Sequence, residues 1–431
     1  MNAKWPEQGL VFWPVGTGDS TTIVVGEGCT VQVDLHDMDR ADDDESDVTP
    51  IVDILVENLP RTDDDRPYLS AFILTHADQD HCRGFADLKD KVTIGELWAT
   101  PRLWREYLDD PDSLCSDGHA FHEEADRRVG ACKAAAAKGL SPVAGDLIRI
   151  VGYDEDEEDH TYTDLPQELR SYPGTSVSTI DGQDLASHFE AFIHSPFKDD
   201  AAAARNDTSL GLQITLTSLE GGAARALFFG DLAYPTLKKV FDYSEANDRS
   251  ERVDWDVLLA PHHGSRKAMY TVQGDEEVLQ QDLLNSIAAH AGENAEIVIS
   301  SGPFPSVDEV GANPPHVIAR NRYQELVEEV HCTGEYPSVE APEPIVYVIG
   351  QDGFERLPLE SESGDGDKVS LSAVAAAGAV LGGVAAIIAA ARRSGQPREP
   401  RQAGLDTARQ AVERTRQGEA APRQPVGFGS R

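Results

Sequence analysis

The sequence contains few cysteines and none in a CxxC pair. The five cysteines are Cys29, Cys82, Cys115, Cys132 and Cys332. Their scatter and odd number argue against a disulfide framework and against a thiolate zinc site. We therefore expect reduced thiols and a cytoplasmic location.

The N-terminus lacks the pattern of an export signal. In MNAKWPEQGLVF no basic region precedes a long apolar run, so the sequence predicts no secretory signal. No repeat period of the solenoid or propeller type is present. The 431 residues can bury at least one large core.

The chain also lacks an excess of basic charge. It carries 37 basic and 76 acidic side chains, a net charge of −39. Nine arginines and four acids give residues 392–431 a net of +5, which leaves −44 on residues 1–391. A field of that sign repels polyphosphates, so broad electrostatic capture of nucleic acid is not expected. The acidic body predicts a strongly solvated surface.

The order of apolar runs and breakers predicts one large mixed α/β domain followed by three short segments. The domain spans residues 1–358, with a helical and loop-like insertion at about 100–185. An acidic linker occupies 359–368, an uncharged apolar helix 369–391, and a Pro/Gln/Arg-rich tail 392–431. Composition predicts that the tail is disordered.

Five apolar, strand-like runs each stop at a side chain that can bind a metal. The runs are VQVD, FILTH, EAFIH, ALFFGD and VLLAPHH, and the side chains after them are Asp34, His76, His194, Asp231, and the pair His262 and His263. Buried strands read as continuous apolar runs, and functional groups concentrate where strands end. If these strand ends converge, they form a site rich in oxygen and nitrogen donors.

The densest of these stretches is HADQDH, which places His76, Asp78, Asp80 and His81 within six positions. A single histidine at a strand end is more often a hydrogen-bonded structural residue. Burying two carboxylates and two imidazoles so close together is costly unless a cation compensates. The stretch therefore predicts a metal site.

These motifs resemble the metallo-β-lactamase family. HADQDH is similar to its HxHxDH signature, and the other strand-end residues follow in the family's order. The resemblance is closer to the nuclease-like domain of ComEC competence proteins, which carries HxDxDH, opens with VGxGD as in VGTGDS, and closes with PHHGS. NDTSLGLQI and GANPPHVIARNRYQEL also resemble that branch. The resemblance covers about residues 9–350 and implies a four-layer αββα sandwich.

The resemblance also implies two divalent metal ions, Zn²⁺ or Mn²⁺, and a set of ligands for each ion. His76, Asp78 and His194 would hold one ion, Asp80, His81 and His263 the other, and Asp231 would bridge them. Because Asp78 stands where the wider family has histidine, the harder Mn²⁺ becomes a competitor to Zn²⁺. Asp80 and Asp231 would be catalytic. Residues expected to support the ligands or contact the substrate are Asp19, Asp34, Asn206, Ser209, His262, Ser265, Lys267 and His316.

The implied reaction is hydrolysis, most directly of a phosphodiester in nucleic acid or a nucleotide by a metal-activated hydroxide. Arg83, Arg266 and Lys267 flank the expected site and are either phosphate contacts or ordinary surface cations. Two alternatives stay open. The fold hosts lactonases, thioesterases and β-lactamases, and a membrane-tethered binding protein would use the metals only structurally.

Residues 369–391 are long enough to cross a bilayer, which takes about 20 residues. Gly378 and Gly382 form a GxxxG spacing that lets two helices approach closely. The segment is rich in alanine, so a self-associating soluble helix is the alternative. We expect a cytoplasmic catalytic domain that this helix can anchor to a membrane.

Overall fold

Two large β-sheets dominate the part of the chain that the structure describes. This structure is a computed structural model, and it describes residues 5–26, 28–42, 48–153, 161–198, 205–218 and 221–358. One compact unit spans Trp5–Arg356. The remaining unit comprises residues 1–4 and 357–431, of which only 357 and 358 are described. The segments 359–368, 369–391 and 392–431 therefore lie outside the described residues.

The strands and helices follow one another in short alternation. The strands are β1 Gly9–Phe12, β2 Thr21–Gly26, β3 Cys29–Val33, β4 Leu35–His36, β5 Tyr68–Ile73, β6 Thr93–Ala99, β7 Leu147–Val151, β8 Arg170–Ser171, β9 Ser176–Val177, β10 Thr179–Ile180, β11 Gln183–Asp184, β12 Phe189–Ser195, β13 Gly211–Thr217, β14 Ala223–Phe228, β15 Trp255–Leu259, β16 Tyr270–Gln273, β17 Glu276–Leu279, β18 Ala291–Ile299, β19 Glu329–Cys332, β20 Pro337–Ser338, β21 Ala341–Pro342, β22 Ile345–Gly350 and β23 Gly353–Arg356. The helices are α1 Ile51–Asn58, α2 Gln79–Cys82, α3 Phe85–Lys91, α4 Arg102–Asp109, α5 Ser116–Ala136, α6 Tyr234–Ala246, α7 Gln281–Ala289 and α8 Val317–Tyr323.

Each large sheet combines an antiparallel half with a parallel half. The nine-stranded sheet has the order β23-β22-β1-β2-β3-β5-β6-β7-β8 and is parallel from β3 to β8. The seven-stranded sheet has the order β19-β18-β15-β14-β13-β12-β9 and is parallel from β14 to β19. Parallel strands present their carboxyl ends at one edge, which is where loops can gather functional groups.

The two sheets face each other, and helices cover their outer faces. Phe12 on β1 stacks on Phe228 on β14 with ring centroids 6.2 Å apart. On the far side of the first sheet, Phe72 packs against Phe85 of α3 and Phe121 of α5. On the far side of the second, β14, β15 and β18 share one apolar core with α6 and α7. The predicted mixed α/β architecture is confirmed, with the layers in the expected helix, sheet, sheet, helix order.

The segment predicted as an insertion at about 100–185 contributes strands to both sheets. β7 and β8 extend the nine-stranded sheet, and β9 pairs with β12 in the seven-stranded sheet. Helix α5 packs on this region: Arg128 donates to the carbonyl oxygens of Ile94, Gly95 and Leu147. The segment is therefore an integral part of the sandwich.

Within the described ranges, no helix is both long and apolar enough to cross a membrane.

Candidate metal centre

Buried histidines and aspartates meet at the carboxyl ends of the parallel strands. His76 lies three residues after β5, Asp231 three residues after β14 and His263 four residues after β15. His81 lies in α2, the single helical turn that follows the β5 end. All four side chains are at most 3% exposed. The two sheets thus both contribute side chains to one cluster.

Two groups of ligand atoms lie close enough to share a metal ion. One comprises Asp19, His81 and His263, and the other His76, His81 and Asp231, with the atoms of each group within 4.8 Å of one another. Asp231 Oδ1 is 3.1 Å from His81 Nε2 and 3.5 Å from His263 Nε2. Asp231 Oδ2 is 3.7 Å from His76 Nε2. Asp231 therefore lies between the three histidines, and its role as a bridging ligand stays a prediction.

Asp78 and Asp80 stand at the more open side of these groups. Asp78 Oδ2 is 3.4 Å from His76 Nε2, and Asp80 Oδ2 is 3.3 Å from His263 Nε2. Their side chains are 30% and 36% exposed. Each carboxylate thus adjoins a histidine of the ion to which it was assigned and is partly exposed to solvent.

Electrostatics at the centre favour charged imidazoles in the metal-free chain. Burial opposes the charge on His263, but Asp231 and Asp19 outweigh it and raise its pKa to about 10. At His76, burial and the charge on His81 are outweighed by Asp231 and Asp78, and the pKa rises to about 9. Burial likewise opposes ionisation of Asp231, yet the surrounding histidines hold its pKa well below the usual value. In the metal-free chain the charged imidazoles therefore compensate the buried carboxylates.

The residues fit divalent metal ions. Three ligand atoms are buried without a hydrogen-bond partner among the described residues, namely Asp19 Oδ1, His76 Nε2 and Asp231 Oδ1. A buried polar atom without a partner is costly, and metal coordination is one way to satisfy it. Imidazole nitrogen and carboxylate oxygen are donors that suit Zn²⁺ and Mn²⁺. Asp19, expected only to support the ligands, is itself placed as a potential ligand.

Asp34 orients the His81 ring by accepting a hydrogen bond from its Nδ1. Its Oδ2 accepts hydrogen bonds from His81 Nδ1 at 2.8 Å and from Thr75 Oγ1 at 2.6 Å, while Oδ1 accepts from the Thr75 N–H at 2.7 Å. A carboxylate at Nδ1 fixes the tautomer that leaves Nε2 free to bind a metal. Asp34 adopts φ 53°, a strained conformation that aspartate tolerates better than most residues. The geometry matches the supporting role expected for Asp34.

Asn206 and Ser209 hold Asp231 in place. Asn206 Nδ2 donates to Asp231 Oδ2 at 3.1 Å. Ser209 Oγ accepts from the Asp231 N–H at 3.3 Å and donates to the Asn206 carbonyl at 2.8 Å. The NDTSL motif therefore supports the central carboxylate.

The PHHGS loop is wound tightly to present its histidines. His262 and His263 both have φ 52°, and strained backbone of this kind clusters at functional sites. His262 Nε2 is 3.4 Å from Asp231 Oδ2. Ser265 accepts from the Lys267 N–H at 3.3 Å, and His316 Nδ1 accepts from the Arg266 N–H at 3.4 Å. Ser265 and His316 thus brace the loop through its backbone.

His194 is not brought into either group of ligand atoms. Its Nε2 donates to the Arg252 carbonyl at 2.8 Å, and its ring lies 5.0 Å from that of Phe192. Burial lowers its pKa to about 4. The pairing of β12 with β13 changes register between Ile193 and Ser195, which alters the direction of the side chain between them. Its role as a metal ligand stays a prediction.

Three residues at the site were not anticipated from the motifs. Thr75 contacts Asp34, His76 and His81. Arg205 pairs with Asp78 and also with Glu106, at 2.7 Å. His36 is the third, and among the described residues its buried Nδ1 has no hydrogen-bond partner. Thr75 directly precedes HADQDH and Arg205 directly precedes NDTSL, so proximity to motifs was the available signal.

His36 leaves no room for a side chain at Gly18. A Cβ there would lie 2.2 Å from His36 Nδ1 and 2.7 Å from the Asp80 carbonyl oxygen. Such distances are far below van der Waals contact, so only glycine fits. This explains why the VGTGD motif has glycine directly before Asp19.

Two of the three candidate phosphate-binding cations already have acidic partners. Arg83 Nη2 is 2.8 Å from Asp39 Oδ2, and Arg266 Nη1 is 3.4 Å from Glu277 Oε2. Lys267 is exposed. Burial lowers the pKa of His262 to about 4, and Lys267 is the smallest of the charges named as acting on that imidazole.

No protein-family model and no curated protein sequence matches this chain. Solved structures that resemble it include three metallo-β-lactamases. SMB-1 bound to 2-mercaptoethanesulfonate has 12% identity and TM-score 0.29, with 61% of this chain and 81% of that chain covered. MIM-1 from Novosphingobium pentaromativorans has 14% identity and TM-score 0.30, with 66% and 86% covered. A HARLDQ-motif mutant, S60, from Cronobacter sakazakii has 16% identity and TM-score 0.29, with 67% and 91% covered.

Proposed function

We propose that this chain is a metal-dependent hydrolase of the metallo-β-lactamase type with a two-metal centre. The observation that carries the proposal is the convergence of His76, His81, His263 and Asp231 at the carboxyl edges of two facing sheets, with partnerless ligand atoms among them. Burying such a set without a cation would be strongly unfavourable. The open carboxylates Asp78 and Asp80 mark the side on which a substrate would bind.

His76, Asp78 and Asp231 would hold one ion, and Asp80, His81, His263 and Asp231 the other. Asp19 is a further candidate ligand, and His194 stays a prediction for the first ion. Bound divalent cations would supply Lewis acidity, which makes water a better nucleophile near neutral pH and stabilises negative charge on the leaving oxygen. The chain's own contribution is to hold Asp231 through Asn206 and to fix the His81 tautomer through Asp34.

The substrate class that we propose is a phosphodiester, in nucleic acid or a nucleotide. VGTGD, NDTSL and PHHGS, the motifs that resemble those of the ComEC-type branch, all lie at this centre. Exposed Lys267 near His262 offers a cation for a phosphate group. Because residues 1–391 carry −44, binding of a long nucleic acid has to depend on contacts at the centre.

A substrate panel tests this proposal. Protein loaded with Mn²⁺ or Zn²⁺ is incubated with single- and double-stranded DNA, RNA, cyclic nucleotides, lactones and thioesters. We expect phosphodiester cleavage that Asp231→Asn abolishes. Asp254→Asn is the matched control, since Asp254 also pairs with a histidine, His290, at 2.8 Å, but at another place, and it should retain activity.

The alternatives give different results in the same panel. Turnover of lactones or thioesters without phosphodiester cleavage would indicate a small-molecule hydrolase. Stoichiometric metal binding without turnover of any substrate would indicate a binding protein in which the metals are structural.

Membrane attachment through residues 369–391 is a second part of the proposal. It rests on the composition of that segment, which lies outside the described residues. We expect the full-length protein to sediment with membranes, and a chain ending near Gly366 to stay in the supernatant with its metals. Full-length protein that remains in the supernatant after high-speed sedimentation would favour a self-associating helix.

A further inference from the structure

Two of the five cysteines are in contact beside the metal centre. Cys82 ends α2 directly after His81 and is fully buried, whereas Cys115 precedes α5 and is partly exposed. Their sulfur atoms are 3.4 Å apart. A disulfide bond is about 2.05 Å long, so the two atoms are within roughly 1.4 Å of bonding distance. Cys132 instead donates to the Asp146 carbonyl.

The surroundings make Cys115 the more reactive thiol of the two. The hydrogen bond from Cys82 lowers the pKa of Cys115 to about 6, and the Gly118 N–H donates to the same sulfur at 3.3 Å. A thiolate is the reactive form of cysteine towards oxidants. The exposed member of the pair is therefore the nucleophile, and the buried member is placed to resolve it.

We propose that Cys82 and Cys115 are a modification site for hydroperoxides, and that their disulfide weakens metal binding at His81. The Cys115 thiolate attacks the peroxide, the O–O bond breaks, and the hydroxide that leaves is protonated to water. The resulting sulfenic acid is then attacked by Cys82, whose proton leaves with the hydroxyl group as a second water. In sum, two thiols are oxidised to a disulfide and one hydrogen peroxide is reduced to two waters. An organic hydroperoxide would give one alcohol and one water instead.

The link to the metal centre is the single helical turn of α2. The backbone N–H groups of His81 and Cys82 both donate to the Asp78 carbonyl, at 3.0 and 3.2 Å. We therefore expect a movement of Cys82 towards Cys115 to displace His81 and Asp78 with it. Metal–ligand distances at protein sites lie within about 0.2 Å of their usual values, so such a displacement should weaken coordination. This second part of the inference rests on the proposed function, whereas formation of the disulfide does not.

The experiment exposes metal-loaded full-length protein to a small excess of hydrogen peroxide. Free thiols are then alkylated and the peptides mapped by mass spectrometry, while a chromophoric chelator records released metal. We expect a Cys82–Cys115 crosslink that dithiothreitol reverses, together with metal release. Cys115→Ser should abolish both, and Cys132→Ser, a buried cysteine on the same helix α5, should change neither.

Two results would overturn the inference at different points. Irreversible oxidation of Cys115, or crosslinks that involve other cysteines, would refute the pair itself. A Cys82–Cys115 disulfide with all metal retained would refute its coupling to His81. Because the crosslink can also be measured in metal-free protein, its absence is distinguishable from failure of the proposed metal centre.

Discussion

Replacing Asp34 with asparagine tests whether the hydrogen bond behind His81 prepares this residue for metal binding. Asp34 Oδ2 accepts from both His81 Nδ1 and Thr75 Oγ1, and Oδ1 accepts from the Thr75 N–H. An asparagine has one oxygen and one NH₂ group. If the NH₂ group takes the place of Oδ2, it faces the N–H of the His81 ring. If it takes the place of Oδ1, it faces the backbone N–H of Thr75. Asparagine also tolerates the φ of 53°, so the backbone is retained.

When the asparagine oxygen accepts from the Thr75 N–H, its NH₂ group faces His81 Nδ1, and the tautomer of His81 has to change. Nδ1 has to lose its proton to accept from the amide, and Nε2 then carries the proton and cannot bind a metal. Loss of a partner of this kind lowers metal affinity by about 10- to 100-fold, or roughly 1.4 to 2.7 kcal/mol. Loss of a hydrogen bond to a charged group should lower the free energy of unfolding by about 1.5 to 3 kcal/mol.

The assay is competition for metal against a chromophoric chelator, with urea unfolding of the same samples. Asp181→Asn is the matched control. Asp181 also has a positive φ, 51°, but it accepts from Tyr68 at the start of β5, the end remote from His76. Metal affinity of Asp34→Asn within twofold of the unsubstituted protein, with a normal circular dichroism spectrum, would refute the orienting role.

Three further outcomes are expected. Elemental analysis should find close to two metals per chain, with at least one lost in His81→Ala or Asp231→Ala; a value near zero for every metal tested contradicts the two-metal centre. Asp78→His should shift preference from Mn²⁺ towards Zn²⁺, and an unchanged metal profile would mean that Asp78 serves only as the partner of Arg205. Stability of chelator-treated protein should fall with rising pH. His76 and His263 have pKa values raised to about 9 and about 10. Their contribution to the free energy of unfolding is therefore complete below the unfolded-state pKa of about 6.5, and it is lost as the pH rises through the raised values. A urea midpoint that stays constant from neutral pH to pH 10, the value for His263, would show that these imidazoles are not charged.

The sequence by itself predicted several of the groups that meet at the candidate centre. Apolar runs that stop at Asp34, His76, Asp231 and His263 predicted strand ends, and the crowding in HADQDH predicted a cation site. Both inferences needed only local information, because strand periodicity and the cost of clustered buried charge act over a few residues. The mixed α/β architecture followed from the same alternation.

Side-chain direction was decided only by the tertiary structure. His194 ends an apolar run just as His76 does, yet the register change in β12 sets its direction and the carbonyl of Arg252 takes its Nε2. His36 follows no motif in the sequence, and only the fold packs it against Gly18, the glycine before Asp19. Cys82 and Cys115 are 33 positions apart, and only the start of α5 beside α2 brings their sulfur atoms to 3.4 Å. Such contacts depend on how distant elements pack, and no pattern along one segment records that packing.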